Sequence, residues 1–225
     1  MIWTLAVRVL GVLLAFLSAT VTARVLGPEE FGAWSAGLSL AMLFAALAPL
    51  GMDRVLVRQL SVLSDSGERA AELAIAHVSA LRFGSLLLVL GLLAGGICRL
   101  SGRNDWSEAL WLASLLLIPL TLTWLRQWVA IPLLGTRLAV LPEQVLIPAG
   151  TICVLGTLQF LQLPLTATIA AVIFTLLSVA VWTWTLIRSS LGNLYLLAYR
   201  GRAAASGDLS VRAAEGLRFV PMAVG

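Results

Sequence analysis

Few residues in this chain can do chemistry, and most of those are arginines. All of its 15 basic residues are arginine. Arg8, Arg24, Arg54, Arg58, Arg126 and Arg137 stand within or beside long apolar runs, and Glu143 is a carboxylate in the same setting. A guanidinium fork pairs with phosphate or carboxylate through two parallel hydrogen bonds. Such a set can hold an anion, with Glu143 as a charge partner or a proton-responsive group. It can equally mark the cytoplasmic ends of membrane spans. The single His77 has no His, Cys or carboxylate partner at ligand spacing, and Cys98 and Cys153 lack the spacing of a metal site or a disulfide framework. No metal and no cofactor are expected. An enzyme needs a polar cluster with a base. One histidine and scattered loop carboxylates do not supply it, so no catalytic residues are expected and the chain is not expected to be an enzyme.

The elements that carry these charges are set by composition. The chain is 60% hydrophobic and 12% charged, against about 25% charged in a soluble domain. Its mean hydropathy is +0.99. So little polar surface cannot face water, and the chain reads as an integral membrane protein. The sequence pI near 10.0 is then a matter of topology, and no nucleic-acid partner is expected. Six apolar runs, at 3–25, 32–51, 76–98, 108–130, 139–161 and 165–187, reach the ~20 helical residues needed to cross a bilayer. They lack the alternation of a membrane barrel. The prediction is an all-α polytopic bundle: six transmembrane helices over 1–188, a cytoplasmic linker over 189–216, and the start of a seventh helix over 217–225.

With the N-terminus inside, twelve arginines fall on the cytoplasmic side, and only Arg24, Arg99 and Arg103 fall outside. That asymmetry follows the positive-inside rule and places both ends of the six-span block in the cytoplasm. Trp3, Trp124, Trp128, Trp182 and Trp184 sit near inner ends of spans, and Trp34, Trp106 and Trp111 near outer ends, as an aromatic belt does. Arg8, the apolar stretch after it and Val21-Thr22-Ala23 also resemble a cleavable signal peptide, whose removal would leave five spans in the same orientation.

Between the first two runs lies ARVLGPEEFGAW, 23–34. Gly27 and Pro28 end one helix and start the next. Glu29 and Glu30 occupy a first helical turn, where carboxylates favour the dipole, and Phe31 and Trp34 are placed as outer anchors. After the second span, Val55, Leu56, Gln59, Leu60 and Leu63 fit a short helix along the inner membrane face, with Arg54 and Arg58 on one side. Pro49, Pro119, Pro132, Pro142, Pro148 and Pro164 lie in or beside spans. Kinks at such positions free backbone carbonyls and let helices bound a cavity.

The stretch TARVLGPEEFGAWSAGLSLAMLFAALAPLGMDRVLVRQLS, 22–61, resembles the opening hairpin of oligosaccharide flippases. These are the polysaccharide-biosynthesis exporters related to O-antigen flippases, within the multidrug/oligosaccharidyl-lipid/polysaccharide transporter superfamily. The matching positions are Arg24, Gly27, Pro28, Glu29, Glu30, Phe31, Gly32, Leu50, Gly51 and Arg58. A second segment, LLGTRLAVLPEQVLIPAG, 133–150, is similar to the fifth-span region, although Ile147 stands where the family usually has an arginine.

The resemblance implies one lobe of a two-lobe transporter in the bacterial cytoplasmic membrane. It also implies movement of undecaprenyl-diphosphate-linked oligosaccharide (an O-antigen, capsule or exopolysaccharide repeat unit) from the inner to the outer leaflet. Its partners would be that lipid-linked substrate, membrane lipid and other polysaccharide-assembly proteins. A diphosphate in a low-dielectric site needs cations, and Arg24, Arg58, Arg8, Arg54, Arg126 and Arg137 are the candidates, with Glu143 as their charge partner. Arg24 lies on the side topology disfavours, and a salt bridge to Glu29 or Glu30 is its structural alternative. Two other readings are open. A drug antiporter of the same superfamily would want carboxylates deep in the membrane. An inactive truncated fragment fits the apolar segment that stops at Gly225.

Overall fold

The computed structural model describes residues 2–188 and 191–200. In order these form α1 (Ile2–Leu47), α2 (Met52–Val62), α3 (Ser66–Leu100), α4 (Asn104–Leu134), α5 (Thr136–Leu141), a π-helical turn (Pro142–Leu146), α6 (Ile147–Phe160), α7 (Ala167–Arg188) and α8 (Leu191–Arg200). Five of these segments are long and apolar enough to cross a membrane.

The first of the five is α1, and it breaks at Gly27 (φ 77°, ψ 173°). A left-handed φ costs an L-residue about 1–2 kcal/mol and glycine nothing of the kind. The break is a reversal of the chain. Ala15, Ser18 and Thr22 of the first arm line the same cavity as Trp34, Leu38 and Met42 of the second. In an unbroken helix, at 1.5 Å per residue, Ala15 and Met42 would stand roughly 40 Å apart. The arms, 2–26 and 28–47, each match a bilayer core about 30 Å thick. The bundle therefore has six crossings, as the apolar runs predict.

Helix α4 is the centre, packed against α1, α2, α3, α5 and α7. Its Leu112, Leu116, Leu117, Leu120, Leu125 and Val129 are buried. The outward faces are apolar too: Leu13, Phe16 and Leu17 of α1 and Val89, Leu93 and Ile97 of α3 are exposed. In water such a surface would drive aggregation; against lipid tails it is the ordinary outside of a membrane bundle. The chain is a multi-pass membrane protein.

At the end of the bundle opposite Gly27, α2 buries Met52, Val55, Leu56 and Leu60; of the expected stripe, Val55, Leu56 and Leu60 are buried while Gln59 and Leu63 stay half-buried. The Arg54 guanidinium lies 5.4 Å from the centre of the Trp128 ring on α4, a cation–π contact that ties α2 to the bundle. Helix α3 starts earlier than the expected span, at Ser66, because the Asp65 side chain accepts from the backbone N–H of Glu68 (3.0 Å) and caps it. The expected fifth span is built from three pieces, α5, the π turn and α6. Helix α8 falls inside the stretch expected as a linker, and its Leu194 and Ala198 are buried in the core shared with α3. Residues 201–225, including the expected start of a seventh helix, lie outside the described residues.

Candidate functional site

Five of the six crossings line a cavity of ≈ 350 Å³: both arms of α1, α4, the π turn with α6, and α7. Local sequence shapes each wall. Gly11 has no side chain, so Gln144 packs directly over its backbone; a Cβ there would lie 2.8 Å from the Cβ of Gln144. Pro142 opens the π turn. Wider turns of this kind recur at functional sites because they re-aim side chains. Here Glu143 and Gln144 line the cavity, and the Glu143 Oε2 and Gln144 Oε1 atoms are buried without a hydrogen-bond partner.

The remaining polar lining is made of hydroxyls. Thr22 donates to the Ser18 carbonyl (2.7 Å), Thr123 to Pro119 (2.8 Å), Thr151 to Ile147 (2.9 Å) and Ser178 to Phe174 (2.8 Å). Each hydroxyl spends its proton on its own helix and turns only lone pairs outward. Trp34 forms an apolar wall, edge-on to Phe174 at 5.9 Å. This corrects its expected place in the outer belt: at 6% exposure Trp34 is core, because the second arm turns that face toward α7.

Beside the cavity, toward the α2 end, Arg126 is 1% exposed. Its Nη1 donates to the Thr185 hydroxyl (3.2 Å) and its Nη2 to the Ala139 carbonyl (3.3 Å), while Nε has no partner. The carboxylate of Glu143 and the phenol of Tyr195 stand within electrostatic reach. The Trp124 side chain lies close to the Glu143 carboxylate. Tyr195 comes from α8 and packs edge-on against His77 (5.0 Å) and Trp182 (5.7 Å). Burial pushes its phenol well above the usual range, so it stays neutral.

The structure thus brings together two of the seven charged candidates, Arg126 and Glu143. Arg8 is exposed on the first arm of α1, and Arg54 and Arg58 are exposed on α2. Arg24 is exposed beside the Gly27 turn and forms no ion pair with Glu29 or Glu30 among the described residues. Arg137 is placed on α5 by its backbone alone. Sequence reading missed Thr185, Trp124 and Gln144. A Gln directly after Glu143, between two prolines inside an apolar run, was the available signal for the last.

Glu30 also has a role the sequence did not give it. Instead of only serving its own helix, its carboxylate accepts from the backbone N–H of Ala167 (2.6 Å), at the start of α7. This joins the second and sixth crossings at the Gly27 end. Glu30→Ala should cost about 1–2 kcal/mol, the usual range for a lost helix cap. Hydrogen exchange at Ala167–Ala170 should rise selectively; unchanged protection there would show that the contact holds nothing.

A family model described as polysaccharide biosynthesis protein matches residues 1–198. No curated protein and no solved structure matches the chain.

Proposed function

Since the chain belongs to the polysaccharide biosynthesis protein family, we propose that it forms a lobe of a flippase in the bacterial cytoplasmic membrane. Its cargo is an oligosaccharide carried on undecaprenyl diphosphate, moved from the inner to the outer leaflet, with the N-terminus in the cytoplasm. Other polysaccharide-assembly proteins supply and use that cargo.

The observation that carries this reading is Arg126: a guanidinium 1% exposed inside the bundle, held by one hydroxyl and one carbonyl, with Nε unused. A buried arginine is costly and recurs where a charged group must be met within the membrane. In this orientation it sits in the cytoplasmic third, where the diphosphate would load. Arg54 and Arg58 on α2 act at the membrane surface, attracting an anionic head group without enclosing it. Glu143 competes with the diphosphate for Arg126 and releases it as the lobe changes shape.

The test is glycan export by the full-length gene product, normalised to protein in the membrane. Arg126→Lys keeps the charge but loses the planar fork, and is expected to lower export at least about tenfold, as a bidentate site should. Full export by a normally inserted Arg126→Lys protein would refute the assignment. A drug antiporter is the second reading, favoured by the cavity-lining carboxylate of Glu143. Drug resistance conferred without any effect on glycan export would select it.

A further inference from the structure

We propose that a slot under α8 binds an anionic glycerolipid through one of its ester carbonyls. The slot, ≈ 230 Å³, lies between α3, α4, α7 and α8 and shares no lining residue with the larger cavity. Leu73, Leu81, Leu122 and Ala198 make its walls apolar. Three polar side chains interrupt them. His77 places Nδ1 2.9 Å from the Leu73 carbonyl; a carbonyl can only accept, so that nitrogen carries a proton and spends it within α3. Trp182 and Tyr195 differ. The indole Nε1 and the phenol oxygen are buried and have no hydrogen-bond partner among the described residues. An indole nitrogen can only donate, and a phenol can donate. Buried donors left unmet are costly, and a ligand that carries an acceptor oxygen on an apolar body relieves that cost.

Depth selects the ligand. At 1.5 Å per residue, Leu81 and His77 stand roughly 30–35 Å along α3 from its end at Leu100. A hydrocarbon core is about 30 Å thick, so the slot falls in the interfacial layer, where tryptophan and tyrosine gather and where the ester groups of glycerolipids lie. An isoprenoid chain has no oxygen to offer these donors. Exposed Arg82 directly follows Leu81, and its long side chain reaches the same layer. A cation there favours an anionic head group. The space takes an ester group and the first carbons of its chain, about seven groups at roughly 30 Å³ each. Tyr195 comes from α8, and docked α8 helps to seal both donor atoms. The lipid therefore enters as α8 shifts, and once bound it fastens α8 to α7.

The experiment is native mass spectrometry of the purified full-length chain, titrated with phosphatidylglycerol whose chains are ester-linked or ether-linked. The ester form should bind several-fold tighter than the ether form, which has the same charge and chains but no carbonyl. Trp182→Phe and Tyr195→Phe should each weaken the ester form about two- to tenfold, the worth of one hydrogen bond, and leave the ether form unchanged. Trp106→Phe, an exposed ring at the Gly27 end, should behave as wild type. Arg82→Gln should erase the preference for phosphatidylglycerol over phosphatidylcholine. Equal affinity of the wild type for ester and ether forms overturns the proposal, and so does equal affinity for the two head groups. An undiminished ester preference in a folded Trp182→Phe/Tyr195→Phe protein overturns it as well, as does an equal loss in Trp106→Phe. If the double variant fails to fold, the single variants decide by the same criterion. Lipid occupancy is read without export, so failure here leaves the export reading standing, and failure of export leaves this one.

Discussion

Arg126→Met should destabilise the protein by about 1–3 kcal/mol, the cost of leaving buried polar partners unsatisfied. Methionine fills much of the same volume, so cavity formation contributes little. What remains is Glu143, with Oε2 already unpartnered and its counter-charge gone. The hydroxyl of Thr185 and the carbonyl of Ala139 lose their donors at the same time. The double variant Arg126→Met/Glu143→Gln removes both charges and should recover much of the loss, because two opposite buried charges removed together leave no uncompensated charge behind. Thermal unfolding in nanodiscs, followed by circular dichroism, measures the cycle. A coupling of roughly 0.5–3 kcal/mol is expected for groups that interact directly. Strict additivity of the two substitutions would mean that Arg126 and Glu143 do not act as a pair.

Gly37→Leu should be nearly as damaging, by a different route. A Cβ at Gly37 would lie 2.7 Å from the Cβ of Leu112 and 3.1 Å from the backbone oxygen of Ala109. Neither neighbour is the end of a flexible side chain, so α1 and α4 must separate. Overpacking of this sort costs about 1–3 kcal/mol. In a membrane the loss is felt in full, since helices associate through close packing rather than the hydrophobic effect. Moving α4 also shifts Leu120 and Thr123 in the cavity wall. Lower thermal stability is therefore the expected result. At Gly32, where a Cβ meets nothing within 4 Å, alanine serves as the control; equal damage at both positions would refute the packing argument.

Apolar run length alone determined the number of crossings, because a bilayer admits only continuous helices of about 20 residues. Gly27-Pro28 announced the reversal in α1, and the spacing of Val55, Leu56 and Leu60 announced the buried stripe of α2. Those signals are local: backbone conformation at one glycine, periodicity within one helix. The family wording was also legible, in GPEEFG and its flanks. What the sequence left open was which charges meet. Five of the six arginines had equal standing in one dimension, since the positive-inside rule and an anion site ask for the same inner clustering; Arg24, on the outer side, stood ahead of them, yet packing leaves it exposed. Only packing separated them. It left Arg8, Arg24, Arg54 and Arg58 exposed, and it buried Arg126 beside a carboxylate 17 positions away in the chain. It also carried the Glu30 carboxylate across to Ala167 and moved Trp34 from the belt into the cavity wall. Facing is a property of how helices rotate against one another, and in an apolar bundle, where nearly every face is greasy, no periodicity in the sequence records it.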